Sequence, residues 1–110
     1  MRSITVHELK AALAEAEGAE GAEGAEVELV DVREPWEYAQ GRIPGSRLAP
    51  LATVPGLVGE LPTDRPVYLV CHVGGRSAQA AAYLSQRGLD AVNVAGGTAE
   101  WVAAGYPLER

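Results

Sequence analysis

A chain of 110 residues suits one domain of ordinary size, and 47% hydrophobic residues place it among globular rather than disordered proteins. The net charge of -6, with its basic residues scattered, argues against a nucleic-acid partner. The single cysteine, Cys71, excludes an internal disulfide and a cysteine-rich zinc site, and His7 and His72 do not make up a metal set.

No apolar run approaches the roughly 20 residues needed to span a bilayer, and "MRSITVHELK" lacks the continuous apolar stretch of a signal peptide. The expectation is one cytoplasmic domain over 1–110, monomeric, with no metal, no cofactor and no membrane contact.

Along the chain, helical and extended signals alternate. "TVHELKAALAEAE" opens with Thr5 and carries Glu8 three residues on, a capping-box pattern, and Val6, Leu9, Leu13 and Ala16 fall on one helical face. The period-three repeat "EGAEGAEGAE", 17–26, then reads as a mobile, solvated segment, because each glycine costs a helix about 1 kcal/mol relative to alanine. "VELVDV", Val27–Val32, is a strand candidate. Pro35 starts a short helix, "PWEYAQ", with Gly41 as its stop. "RIPGSRLAP" reads as a loop. "PVYLV", Pro66–Val70, is a second strand and "SAQAAAYLSQRG" a strong helix ending at Gly88. "AVNVAGG" supplies a third strand and a turn, and Thr98 caps a last helix, "AEWVAA", stopped by Gly105. Strands alternating with helices predict a parallel sheet of four or five strands with helices on both faces, and the nearly unbroken apolar character of the strands fits a sheet covered on both sides.

In such a sheet, chemistry sits beyond the carboxyl ends of the strands, and Cys71 falls at that point. The loop "CHVGGR" runs directly into a helix, so its backbone N–H groups and the helix N-terminus predict a concave anion cradle. Gly74 and Gly75 permit the positive φ values that let successive N–H groups converge, and Arg76 adds a full charge. A thiol placed there is pushed toward the nucleophilic thiolate. A buried structural cysteine is the plainer reading, but a packed thiol has no use for two glycines and an arginine. The loop has no lysine, as a phosphate-binding P-loop requires, and the chain has no second cysteine for a CxxC redox pair.

Three stretches resemble one family. "LVDVREPWEYAQGRIPGS" is similar to the first signature of rhodanese-like domains, "CHVGGRSAQAAAYLSQRG" to their catalytic loop and following helix, and "VNVAGGTAEWVAAGYPL" to their C-terminal signature. The resemblance runs in the usual order from Leu29 to Leu108 and implies the α/β rhodanese-like fold and a sulfurtransferase. Cys71 would take the outer sulfur of a donor such as thiosulfate, become a persulfide, and pass that sulfur to cyanide or a thiol. The amides of His72, Val73, Gly74, Gly75, Arg76 and Ser77 would hold the terminal sulfur. Arg76 either binds the anionic donor or braces the loop through an acid such as Asp31. Ser77 is as well read as a helix-start residue as a catalytic hydroxyl.

Asp31, Arg33 and Glu37 read as polar links holding the strand-to-helix turn, and Trp36, Tyr38 and Trp101 as packing residues. Arg42 stands where the family often has histidine before "IPG". His72 and Val73 stand where thiosulfate-using members place basic residues, which points to thiosulfate as a working assay donor rather than the physiological one. Phosphatases and arsenate reductases of the same fold, as the resemblance implies, have a loop one residue longer than the His72–Gly75 spacing here, so loop length favours a single sulfur atom. A persulfide relay or interaction module serving a partner protein is the other alternative.

Overall fold

The computed structural model describes residues 1–18 and 27–110. Thr5 opens helix α1 (Val6–Gly18) as its residue type and spacing predict. Its Oγ1 accepts the Glu8 N–H at 3.1 Å, and Glu8 Oε1 accepts the Thr5 N–H at 3.0 Å. The helix runs on through Glu17 and Gly18, so it absorbs the first residues of the segment expected to be mobile; the remainder of that segment, 19–26, lies outside the described residues.

The sheet has five parallel strands in the order β1-β5-β4-β2-β3: β1 (Arg2–Ile4), β2 (Glu28–Asp31), β3 (Arg47–Leu48), β4 (Val67–Val70) and β5 (Ala91–Val94). Two of these, β1 and β3, were not anticipated. β1 is a three-residue edge strand docked on β5, and β3 is a two-residue strand inside the stretch read as a loop.

Helix α2 (Pro35–Gln40) starts on its proline and ends at Gly41, as expected. Helix α3 (Gly75–Gln86) begins two residues earlier than expected, inside the glycine loop, and Helix α4 (Gly97–Ala103) has Gly96, not Thr98, at its cap. Thr98 is a buried residue inside α4 instead. Between β3 and β4, Leu51–Glu60 forms a 3-10 helix that holds Pro55. That proline has no N–H to give an α-helix, and Pro50 just before the segment and Gly56 and Gly59 within it discourage one further.

Strand alternation sorts the core into two layers. Val67, Leu69 and Cys71 face one side, against Ala80, Ala81 and Leu84 of α3 and Val54 of the 3-10 helix. Val70 and Val94 face the other, against Val6 and Leu9 of α1 and Trp101 of α4. Each such fully buried Val or Leu side chain contributes about 1.5–3 kcal/mol of transfer free energy. β4 lies in the middle of the sheet, so the residue that follows it, Cys71, emerges between the carboxyl ends of β2 and β5.

Candidate functional site

The Cys71 loop is shaped by contacts from the far side. The first free N–H groups of α4 do not face solvent: Thr98 N–H donates to the Cys71 carbonyl and Ala99 N–H to the His72 carbonyl, each at 2.9 Å. With both carbonyls turned toward α4, the amides that follow are left to converge on the sulfur. Gly97 makes this approach possible. Its φ is +59°, and a Cβ there would lie 2.3 Å from the Cys71 carbonyl oxygen. Gly74 supplies the second special conformation, with φ +111° at the cap of α3. Gly75 does not: it lies in α3 without a positive φ, so one left-handed residue and not two bends the loop.

Cys71 is 1% exposed. Gly74 N–H donates to its Sγ at 3.1 Å and the Ser77 hydroxyl lies 3.4 Å away. Burial alone pushes this thiol up, yet it sits below its ordinary value. The hydrogen bonds of the Ser77 hydroxyl and of the Ser77, Gly74 and Val73 amides outweigh the desolvation. Of the six loop amides expected to face the sulfur, the Gly74 N–H makes the hydrogen bond to it, at 3.1 Å. Ser77 is no helix cap, since Gly74 holds that position; its hydroxyl is fully buried beneath the thiol.

Arg76 does not pair with Asp31. Its guanidinium makes a two-pronged bridge to Glu37 of α2, at 2.7 and 3.0 Å, joining α2 to α3 across the loop. The Arg76 bridge, opposed by partial burial, brings the Glu37 carboxyl down to about 2. Asp31, at the end of β2, is fully buried and takes Arg33 instead, through contacts of 2.8 to 3.0 Å from its Nε and Nη2. Arg33 Nη2 also donates to the Gly41 carbonyl at 2.9 Å, which ties the end of β2 to the C-terminal end of α2. Both arginines flanking the site are thus committed to carboxylates.

An open cleft of about 510 Å³ runs between α2 and α4 and meets the loop at His72, with Trp36, Glu37, Ala99, Val102 and Leu108 along it. Trp36 is 65% exposed, so it is a cleft wall and not the packing residue expected, whereas Trp101 is buried in the core as expected. Tyr38 packs under the Arg42 guanidinium and donates its hydroxyl to the Ser46 carbonyl at 2.6 Å. His7 is far from this chemistry, its Nδ1 bonded to the Tyr106 hydroxyl at 2.7 Å. Asn93 of β5 was not singled out from the sequence, yet its side chain meets the Ser77 hydroxyl at 2.6 Å. A polar residue inside the four-residue apolar strand "AVNV" was the available signal.

The site is thus a buried thiol, held by a loop amide, at the carboxyl end of the central strand of a parallel α/β sheet. The chain belongs to the rhodanese-like domain family, whose family model matches residues 5–104. It is 45% identical over 83 residues to a protein named sulfurtransferase from Allochromatium vinosum, covering 74% of this chain and 78% of that one. It is 37% identical over 79 residues to the thiosulfate sulfurtransferase GlpE of Pseudoalteromonas translucida, covering 71% and 75%. Among solved structures, a rhodanese-related protein from Thermoplasma volcanium superposes with a TM-score of 0.84 at 32% identity, covering 99% of this chain and 98% of that one. The family and the relatives make this chain a rhodanese-like sulfurtransferase.

Proposed function

We propose that the protein moves a sulfane sulfur from a donor to a thiophilic acceptor through a persulfide on Cys71. The observation that carries this reading is the Cys71 sulfur itself, buried and held by the Gly74 N–H at 3.1 Å in a loop short enough for one added sulfur atom. In the first step the Cys71 thiolate attacks the outer sulfur of thiosulfate. A new S–S bond forms at Cys71, the donor's S–S bond breaks, and its electron pair leaves with sulfite. In the second step cyanide or a thiolate attacks the terminal sulfur, and the Cys71 thiolate departs with the bonding pair. The terminal sulfur carries the negative charge between the steps, and the converging amides stabilise it there.

Thiosulfate serves in this reading as an assay donor. Arg33 and Arg76 are held by Asp31 and Glu37, and the loop places the neutral side chain of Val73 beside His72, so a doubly charged donor meets little uncompensated positive charge. A small or protein-borne persulfide is the physiological donor that this balance favours. Relay of the sulfur to a partner protein is the second reading, favoured by the exposed apolar side chains of Trp36, Val73 and Val102, which suit a protein surface better than a small anion. Among the described residues no helix is long and apolar enough to cross a membrane, and a cytoplasmic monomer is part of the proposal.

The test is intact mass after incubation with thiosulfate. The wild type gains one sulfur atom, which dithiothreitol removes, and Cys71→Ser gains none. Thiocyanate formation from cyanide by Cys71→Ser at the wild-type rate would refute the mechanism.

A further inference from the structure

Asn93 is 7% exposed on β5, with Val92 and Val94 wholly buried on either side of it. A buried amide costs free energy unless it is hydrogen-bonded, so its partner matters. That partner is Ser77: Oγ and Asn93 Oδ1 are 2.6 Å apart, and the same Oγ lies 3.4 Å from Cys71 Sγ. Strand alternation explains the meeting. Asn93 pairs with Leu69 in the sheet and shares its face with Ala91, and that face is covered by α3, which carries Ser77.

A hydroxyl has one proton to give and two lone pairs to receive. The Ser77 proton therefore cannot bond Asn93 Oδ1 and the sulfur at full strength together. Asn93 is the residue type that resolves this conflict, because a half-turn of its amide exchanges an acceptor for a donor. With Oδ1 toward Ser77 it receives the serine proton. With Nδ2 toward Ser77 it donates to Oγ, and the serine proton is released toward the sulfur.

We propose that Asn93 is a positioning residue that holds the Ser77 hydroxyl against Cys71 and, by turning its amide, hands the serine proton to the sulfur whenever the sulfur is anionic. The proposal rests on the sulfur-transfer reading for its purpose, since the sulfur alternates between thiolate and persulfide anion, but its geometry does not depend on that reading. The charged groups that face the loop, Arg76 with Glu37 from α2 and Asp31 with Arg33 at the end of β2, keep their partners in the variants below.

The experiment measures the rate of iodoacetamide alkylation of Cys71 against pH in the full chain, for wild type, Ser77→Ala, Asn93→Leu and the double variant. Ser77→Ala removes a hydrogen bond to a charged group, which slows alkylation below the midpoint by about tenfold. Asn93→Leu, which still carries Ser77, slows it by about threefold or more, and the double variant is no slower than Ser77→Ala alone. Alkylation of Asn93→Leu at or above the wild-type rate overturns the proposal, as does a double variant slower than Ser77→Ala by the whole Asn93→Leu factor. Should Asn93→Leu fail to fold, Asn93→Ala removes the same amide without added bulk and is judged by the same comparison. If alkylation follows the expected pattern while wild type forms no persulfide, the Asn93 inference stands and the sulfur-transfer reading falls.

Discussion

Substituting Glu37→Gln tests how the loop is braced. The substitution keeps the shape of the side chain and removes the charge that Arg76 grips. In the folded protein the Glu37 carboxyl titrates near 2 rather than at its ordinary 4.5, chiefly because of the Arg76 hydrogen bonds. At full value such a shift corresponds to roughly 3 kcal/mol. The Arg76 side chain is 35% exposed, so solvent screens the pair, and about 1–2 kcal/mol is the expected loss. The folded value lies below the unfolded one, so this stabilisation is fully present above the unfolded value. It fades as the pH falls from 4.5 toward about 2. Urea unfolding of wild type and Glu37→Gln should therefore show a gap of about 1–2 kcal/mol at neutral pH that narrows steadily below about pH 4.5. Any other acid-labile contact is common to both proteins and cancels in the difference. A gap that stays constant down to about pH 3, or widens, would show that the charge of Glu37 is not what holds Arg76.

Three further expectations follow from the same geometry. Arg76→Ala frees the Glu37 carboxylate beside the loop and should raise the alkylation midpoint of Cys71. The double variant Glu37→Gln, Arg76→Ala should return it near the wild-type value, and a double variant as high as Arg76→Ala would mean that the arginine charge acts on the sulfur directly. Gly97→Ala places a methyl group 2.3 Å from the Cys71 carbonyl oxygen at a φ of +59°, so thermal unfolding should show a loss of at least about 1–3 kcal/mol together with impaired sulfur transfer; a variant as stable and active as wild type would contradict the close approach. Inserting one glycine between Gly74 and Gly75 should weaken sulfur transfer and raise affinity for phosphate or arsenate, measured by calorimetry, and full sulfurtransferase activity would show that loop length does not set selectivity.

The elements legible in the sequence were those with several independent signals. α2 has a proline at its first position and a glycine at its end, and β4 and β5 are apolar runs bounded by turn residues. β1 and β3 are three and two residues long, too short for any periodicity to register, and exist because a longer strand offers them an edge. In the site, the position of Cys71 followed from the strand-loop-helix pattern. The partner of Arg76 did not, because Asp31 at the end of β2 and Glu37 in α2 are both acids close in sequence and only the Arg76–Glu37 contact between α3 and α2 decides between them. Gly75 was assigned the same backbone role as Gly74, but it is already the first residue of α3 and has no positive φ, so Gly74 alone makes the left-handed bend.

The bonds from Thr98 and Ala99 to the carbonyls of Cys71 and His72 have a consequence for the growing chain. Translation supplies Cys71 well before it supplies α4, which begins at Gly97. Until that last helix leaves the ribosome, nothing turns the two carbonyls aside, and the amides have no fixed direction in which to converge. From the synthesis of Cys71 until that of Gly97, the nascent chain therefore carries this cysteine without the two bonds that shape its loop. Shaping of the Cys71 loop waits for the arrival of α4. A chain interrupted before that point would lack the two bonds that turn the Cys71 and His72 carbonyls toward α4.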